Sequence, residues 1–255
     1  MNTDIFRWLA QVAPVALRVG GLLTLSPFFG DRATPNPVKV GLLIVLTALL
    51  LPVVPLRPVP LGPVDWIQMV LGECLVGMLM GLSLQVVFEG MQFAGQFSGI
   101  QLGLSVATLF DPQSNADSTA LPVLYNLITL LIFLQLNIHH WVLRGLENSF
   151  EYLPVGSAVA TQLLSRELVR VMGALFVLGV QIAAPVLLAT MMIDLVIGFL
   201  SKASPQLPAM LMGIPVKSLT GYALLIGVVA LWPEILERRF AIAIGAAEKM
   251  LHLAR

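Results

Sequence analysis

Charge is scarce in this chain. Lys, Arg, Asp and Glu make up 11% of its 255 residues, against roughly a quarter in a soluble domain. The charges present balance, 14 basic against 14 acidic, so the composition offers no basic face for nucleic acid. The single cysteine, Cys74, excludes an intrachain disulfide. Set within an apolar run, it reads as a small buried hydrophobe. Walker, HExxH and GxSxG motifs are missing, as is any Cys/His spacing suited to a metal. His139 and His140 are adjacent, which on a helix aims them about 100° apart and away from a shared ion. Neither an enzyme nor a cofactor or metal site is expected. From Met91 to Pro122, about thirty residues, there is no Lys, Arg or His at all.

Apolar surface is what the chain has in excess: 58% of residues are hydrophobic and the mean hydropathy is +0.91. Six apolar segments run near Trp8 to Phe29, Val40 to Leu56, Ile67 to Phe88, Leu121 to Leu143, Val171 to Leu200 and Leu207 to Trp232. A membrane span needs about twenty residues, so the expectation is an all-α, membrane-type protein of about six long helices. Pro14, Pro27, Pro52, Pro185 and Pro215 each remove a backbone donor and favour a kink or break. Lys217 near the middle of the last segment suggests a bent or two-part helix. The N-terminus does not read as a cleaved leader, because Asp4 offsets Arg7 and Pro14 and Arg18 interrupt the apolar run. Read as conventional spans, one side carries nine Lys or Arg and the other four, which places both termini in the cytoplasm on the positive-inside rule.

The stretch Met91 to Pro122 is too polar and glycine-rich for a simple lipid-facing helix. In hydrocarbon, such backbone is tolerated only where protein buries it or where it lines a water-filled cavity, so it points to a pore, a gate or a subunit interface. Gly95, Gly99, Gly103 and Ala107 recur every four residues, which on one helix makes a nearly continuous stripe of small residues. Gly77 and Gly81 repeat the motif earlier. Such stripes let another backbone approach closely, from the same chain or from another subunit. The stripe runs into Phe110-Asp111-Pro112-Gln113-Ser114-Asn115. Asp before Pro leaves the α region and can cap a new helix, so a helix, a sharp turn and a second start are expected there.

Three ionisable residues fall inside apolar segments: Glu73, Asp194 and Lys217. Glu73 lies about 14 Å into its span if that span starts near Val64, and a carboxylate at that depth is by default a functional candidate. Glu89 sits about 24 Å further along, too far to form a carboxylate pair. Asp194 follows an uncharged run of 23 residues and is placed near a membrane interface. Glu73 is a proton-relay acid, a neutral group or a hydrogen-bonding group for a partner chain. If the last, Glu73→Gln retains function and Glu73→Leu does not.

Three stretches then resemble one family. They are Gly20-Gly21-Leu22 through Ser26-Pro27-Phe28-Phe29-Gly30 with Arg32, Pro35 and Val38 to Gly41; Ala94-Gly95-Gln96 through Asp111-Pro112-Gln113-Ser114; and Phe133 to His140 followed by Ser149-Phe150 and Leu153-Pro154. The chain resembles the FliR family of flagellar type III export-gate subunits and, more distantly, their counterparts in virulence injectisomes. Ala184-Pro185-Val186 through Ser201, Pro205-Gln206 and Pro215-Val216-Lys217 resemble the two-helix hairpin of FliQ. Ile138 and His140 depart from the family pattern, which usually has Gly and an apolar residue there.

The resemblance implies a non-enzymatic subunit with a FliP-like part (residues 1–165, plug loop near 105–120), a FliQ-like hairpin (166–235) and a basic tail (236–255). It further implies assembly with FliP and FliQ, association with FlhB and FlhA, and residence in the bacterial inner membrane at the flagellar basal body. Phe110 to Asn115 would plug the pore through which unfolded flagellar proteins pass. Two rival readings stand beside this one: a virulence injectisome export-gate subunit, with the same mechanism and a different cargo, and a proton-coupled transporter using Glu73 and Asp194.

Overall fold

The computed structural model describes residues 2–27, 35–54, 62–104, 120–157, 162–204 and 209–254. Within them the chain forms eight helices and no strands. These are α1 (Asn2–Leu25), α2 (Asn36–Leu50), α3 (Pro63–Gln101), α4 (Ala120–Gln135), α5 (Ile138–Tyr152), α6 (Gln162–Ala203), α7 (Ala209–Val229) and α8 (Trp232–Leu253). The all-α architecture is as the apolar segments imply.

Length and composition alone qualify two of these helices as membrane spans, Val64–Gln101 and Ser165–Ala203, or up to four if the bent pairs α4–α5 and α7–α8 each count as one. The described parts of the first two apolar segments, Val12–Leu25 and Asn36–Leu50, form shorter apolar helices. Among the described residues this measure gives two to four spans where six apolar segments stand in the sequence. Pro14, Pro185 and Pro215 lie inside α1, α6 and α7 without ending them. Membrane helices tolerate proline where neighbours re-satisfy the freed backbone groups. The last apolar segment is accordingly one helix through Pro215 and Lys217, and the second break falls later, between α7 and α8.

Two compact units emerge. The first comprises Met1–Val87, Asn137–Gly173 and Arg239–Arg255, the second Phe88–Leu136 and Ala174–Arg238. In the first unit α1 and α3 run parallel, for their contacts climb together: Arg18 meets Glu73 and Gly77, Leu22 meets Gly77 and Gly81, and Leu25 meets Gly81. Parallel neighbours need a return segment between them, and α2 supplies it, with Leu43 beside Gly20 of α1.

Helices α5 and α8 show the pattern of elements with one wet and one dry face. Ile138, Val142, Leu146 and Phe150 of α5 are buried at intervals of four, while Arg144, Glu147 and Glu151 are exposed. In α8, Trp232, Leu236, Phe240, Ala243, Ala247 and Met250 are buried at helical spacing. Residues 236–253 of the stretch 236–255, expected as a basic tail, therefore lie in an amphipathic helix. The second unit is different in kind. Along α6, Leu188, Met191, Met192, Leu195, Val196, Phe199 and Leu200 are all exposed, so apolar side chains face outward nearly all round.

Candidate functional site

The most elaborate polar cluster among the described residues lies inside the first unit. Arg18 falls on the same face of α1 as Val15, Val19 and Leu22, and all four are buried. Its Nε donates to Glu73 Oε2 of α3 at 2.7 Å, with both side chains at 0% exposure. Nη1 donates to the carbonyl of Ser149 at 2.9 Å and to Ser149 Oγ at 3.2 Å, and Nη2 to the carbonyl of Leu153 at 3.0 Å. The guanidinium plane lies 4.1 Å from the centre of the Phe150 ring. Four of the five N–H groups of Arg18 thus have acceptors.

The acceptors come from the end of α5 for a physical reason. A helix C-terminus leaves carbonyls without intrahelical partners and carries partial negative charge, so a cation there satisfies both. Arg18 caps α5 from another helix. Beyond the cap, Pro154 to Ser157 form a turn closed by Ser157 N to Pro154 O at 3.1 Å. Gly156, third in that turn, has φ +78°, as a type II turn requires. Its N–H donates to Glu73 Oε1 at 2.9 Å. Each carboxylate oxygen of Glu73 therefore has a donor. A carboxylate held this way between a permanent cation and a backbone donor is a good structural anchor.

The pair alters one expectation. Glu73→Gln would keep an acceptor for Gly156 but leave Arg18 charged and buried with no anion, so the amide is not a mild replacement. Arg18 was not legible as the partner, although a signal existed: Arg18 is the sole charge in Trp8 to Phe29 and Glu73 the sole charge in Ile67 to Phe88. Opposite lone charges in two apolar helices are expected to meet.

Gly77, Gly81 and Gly95 pack against other segments of the same chain. A Cβ at Gly77 would strike the Arg18 carbonyl and come within 2.9 Å of Leu22 N; one at Gly81 would lie 2.8 Å from Leu22 O. On α1, a Cβ at Gly21 would lie 2.6 Å from Cys74 O. In the second unit a Cβ at Gly95 would meet Pro122 Cα at 2.8 Å, and Gly99 is buried. Gly103 departs from the expected stripe. Helix α3 ends at Gln101 and Gly103 has φ +81°. Gly103 N bonds Ile100 O at 3.1 Å and Leu104 N bonds Gly99 O at 3.0 Å, the paired bonds of a Schellman cap with glycine in the left-handed position. The four-residue repeat imitates a helix face at the very place where the helix stops.

Asp194 and Lys217, flagged separately, come together as an ion pair between α6 and α7, with Gln101 Nε2 3.4 Å from the other carboxylate oxygen. This pair is open, with Asp194 47% and Lys217 20% exposed. His139 and His140 have ring centroids 4.3 Å apart. Ile138, which departs from the family pattern, is fully buried, so an isoleucine there serves as core. Ala107 and Phe110 to Asn115 lie outside the described residues.

Long apolar helices, proline-tolerant spans and buried charges resolved inside the chain define an all-α protein of the membrane type. The model of the bacterial export proteins, family 1, matches residues 9–242. The chain belongs to that family, the FliR family. It is 30% identical over 238 residues to the flagellar biosynthetic protein FliR of Pectobacterium carotovorum subsp. carotovorum, covering 93% of this chain and 91% of that one. The FliR proteins of Escherichia coli strain K12 and Bacillus subtilis strain 168 are 28% and 26% identical, covering 92% and 94% of this chain and 90% and 93% of theirs. Membership makes the chain an export component of flagellar biosynthesis.

Proposed function

We propose that this chain is a FliR-type, non-enzymatic subunit of the flagellar type III protein export gate. With FliP and FliQ it builds the channel for unfolded flagellar proteins, in association with FlhB and FlhA, in the bacterial inner membrane with its C-terminus in the cytoplasm. The observation that carries this reading is the family match along nearly the whole chain. The exposed apolar face of α6 supports it, because such a face needs lipid or partner helices around it. A transporter role is weakened because the two acids it would use are each held by a cation of the same chain, Glu73 by Arg18 and Asp194 by Lys217.

The test is expression in a motile bacterium lacking its own FliR. Restored swimming and co-purification of FliP and FliQ with this chain are the expected outcomes. A stable, monodisperse monomer that recruits neither protein would overturn the proposal. In the same reading, Phe110 to Asn115 plug the pore. Deleting residues 113–116 should then leave the complex assembled but leaky to small ions, and an ion-tight assembled deletion would remove the plug assignment.

A further inference from the structure

We infer that the Arg18–Glu73 junction makes the seating of α1 conditional on parts of the chain synthesised later, so that the first helix is locked in place only once α5 and its turn have been made. Each side-chain hydrogen bond of Arg18 reaches a residue far downstream: Glu73 is 55 positions on, Ser149 131 and Leu153 135. When α1 leaves the ribosome none of these exists. The guanidinium keeps its charge under all biological conditions, so until they arrive it must stay where water or lipid headgroups solvate it. Arg18 lies on the face that packs against α3, among Val15, Val19 and Leu22. Holding Arg18 in a polar setting therefore holds back the whole packing face.

The glycine contacts make the lock selective for one register. Gly77 sits against the Arg18 carbonyl and Gly21 against the Cys74 carbonyl, so near-touching backbones flank the charges. A slip of one helical turn would put one glycine of the Gly77/Gly81 pair in the other's place, but it would bring Leu17 or Leu25 to the position of Gly21 and part Arg18 from Glu73. Arrival of α3 alone supplies the anion, but Ser149, Leu153 and the Gly156 N–H that fills the second oxygen of Glu73 come only with α5 and its turn. An apolar pair at these positions would seat α1 as soon as α3 emerged. The polar pair delays commitment until three separate segments agree.

The experiment follows two reporter cysteines in full-length chains made in a Cys74→Ser background. Ala16→Cys reports on α1, and Thr129→Cys, buried in α4, reports on the second unit. Pulse-labelled membranes are treated with a maleimide at intervals. Protection of Ala16→Cys in the parent chain, timed against protection of Thr129→Cys, sets the reference order. In the Arg18→Met/Glu73→Met double variant it should arrive earlier, and in Glu73→Ala the α1 reporter should stay reactive. If Glu73→Ala exposes both reporters, the double variant decides: recovery of protection at both sites supports the lock. Protection of Ala16→Cys in Glu73→Ala, or the same order of protection in the parent and the double variant, would overturn it.

Discussion

The two units each place an acid and a base on neighbouring helices, and they treat them in opposite ways. Arg18 and Glu73 are sealed from solvent, with donors and acceptors drawn from α1, α3 and the end of α5. Asp194 and Lys217 pair between two helices, with Gln101 beside them and much of the carboxylate outside. The contrast separates two uses of charge in an apolar chain. A sealed pair costs desolvation, recovered only when its remaining hydrogen-bonding capacity is met, so it ties together the elements that meet it. An open pair ties little within the chain and leaves acceptor capacity facing whatever surrounds α6.

The sharpest way to test this contrast is to remove one member of the sealed pair. Glu73→Ala strands a buried guanidinium and should cost about 3–5 kcal/mol, read as loss of folded protein in detergent thermal melts. Glu73→Gln should come close to it; a near-normal melt for the amide would return Glu73 to the role of a simple hydrogen-bonding group. Gly77→Ala comes next, since its methyl group meets the backbone of Arg18 and Leu22. It should destabilise by roughly 1–3 kcal/mol through overpacking, and no change in melting would show that α1 is free to move away. Gly145→Ala should act in the other direction. The new methyl group has ordinary contact distances of 3.8 Å to Met80 and 3.9 Å to Ile244, and helix propensity favours it by about 0.5–1 kcal/mol. A lower melting point would mean that α5 packs against these neighbours more closely than described. Asp194→Asn should be the mildest in the isolated chain, at about 1 kcal/mol or less and smaller still in high salt. A loss as large as that of Glu73→Ala would erase the distinction between the two pairs.

Much of the architecture was open to reading from composition. Apolar segments located most of the helices because burial in lipid or protein demands long apolar runs whatever the tertiary detail. Glu73, Asp194 and Lys217 stood out because each interrupts such a run. Their partnerships were less accessible, since a contact 55 residues apart leaves no local pattern and can be guessed only from matching lone charges. The stretch 236–255 counts as a basic tail by resemblance, although Leu236, Phe240, Ala243 and Ala247 carry the helical spacing in plain view. Gly103 was ambiguous in principle, because a glycine four residues after another serves equally as a packing surface and as a helix stop. Ser149, Phe150 and Leu153 supported the resemblance before any role was known for them. The structure supplies one, as the cage around Arg18.

Helix α3 ends at a fixed mooring. Leu102, just past its last residue, is almost fully buried, and its side chain occupies the space that the absent side chain of Gly221 leaves on α7. Its carbonyl lies 2.8 Å from Ser218 Oγ, and the Schellman bonds close the backbone directly behind it. Tension applied to the chain beyond Leu104 would therefore not peel α3 open from its end. It would be carried sideways into α7 as shear on one leucine and one hydroxyl, and the pull that dislodges Leu102 sets the load this attachment bears.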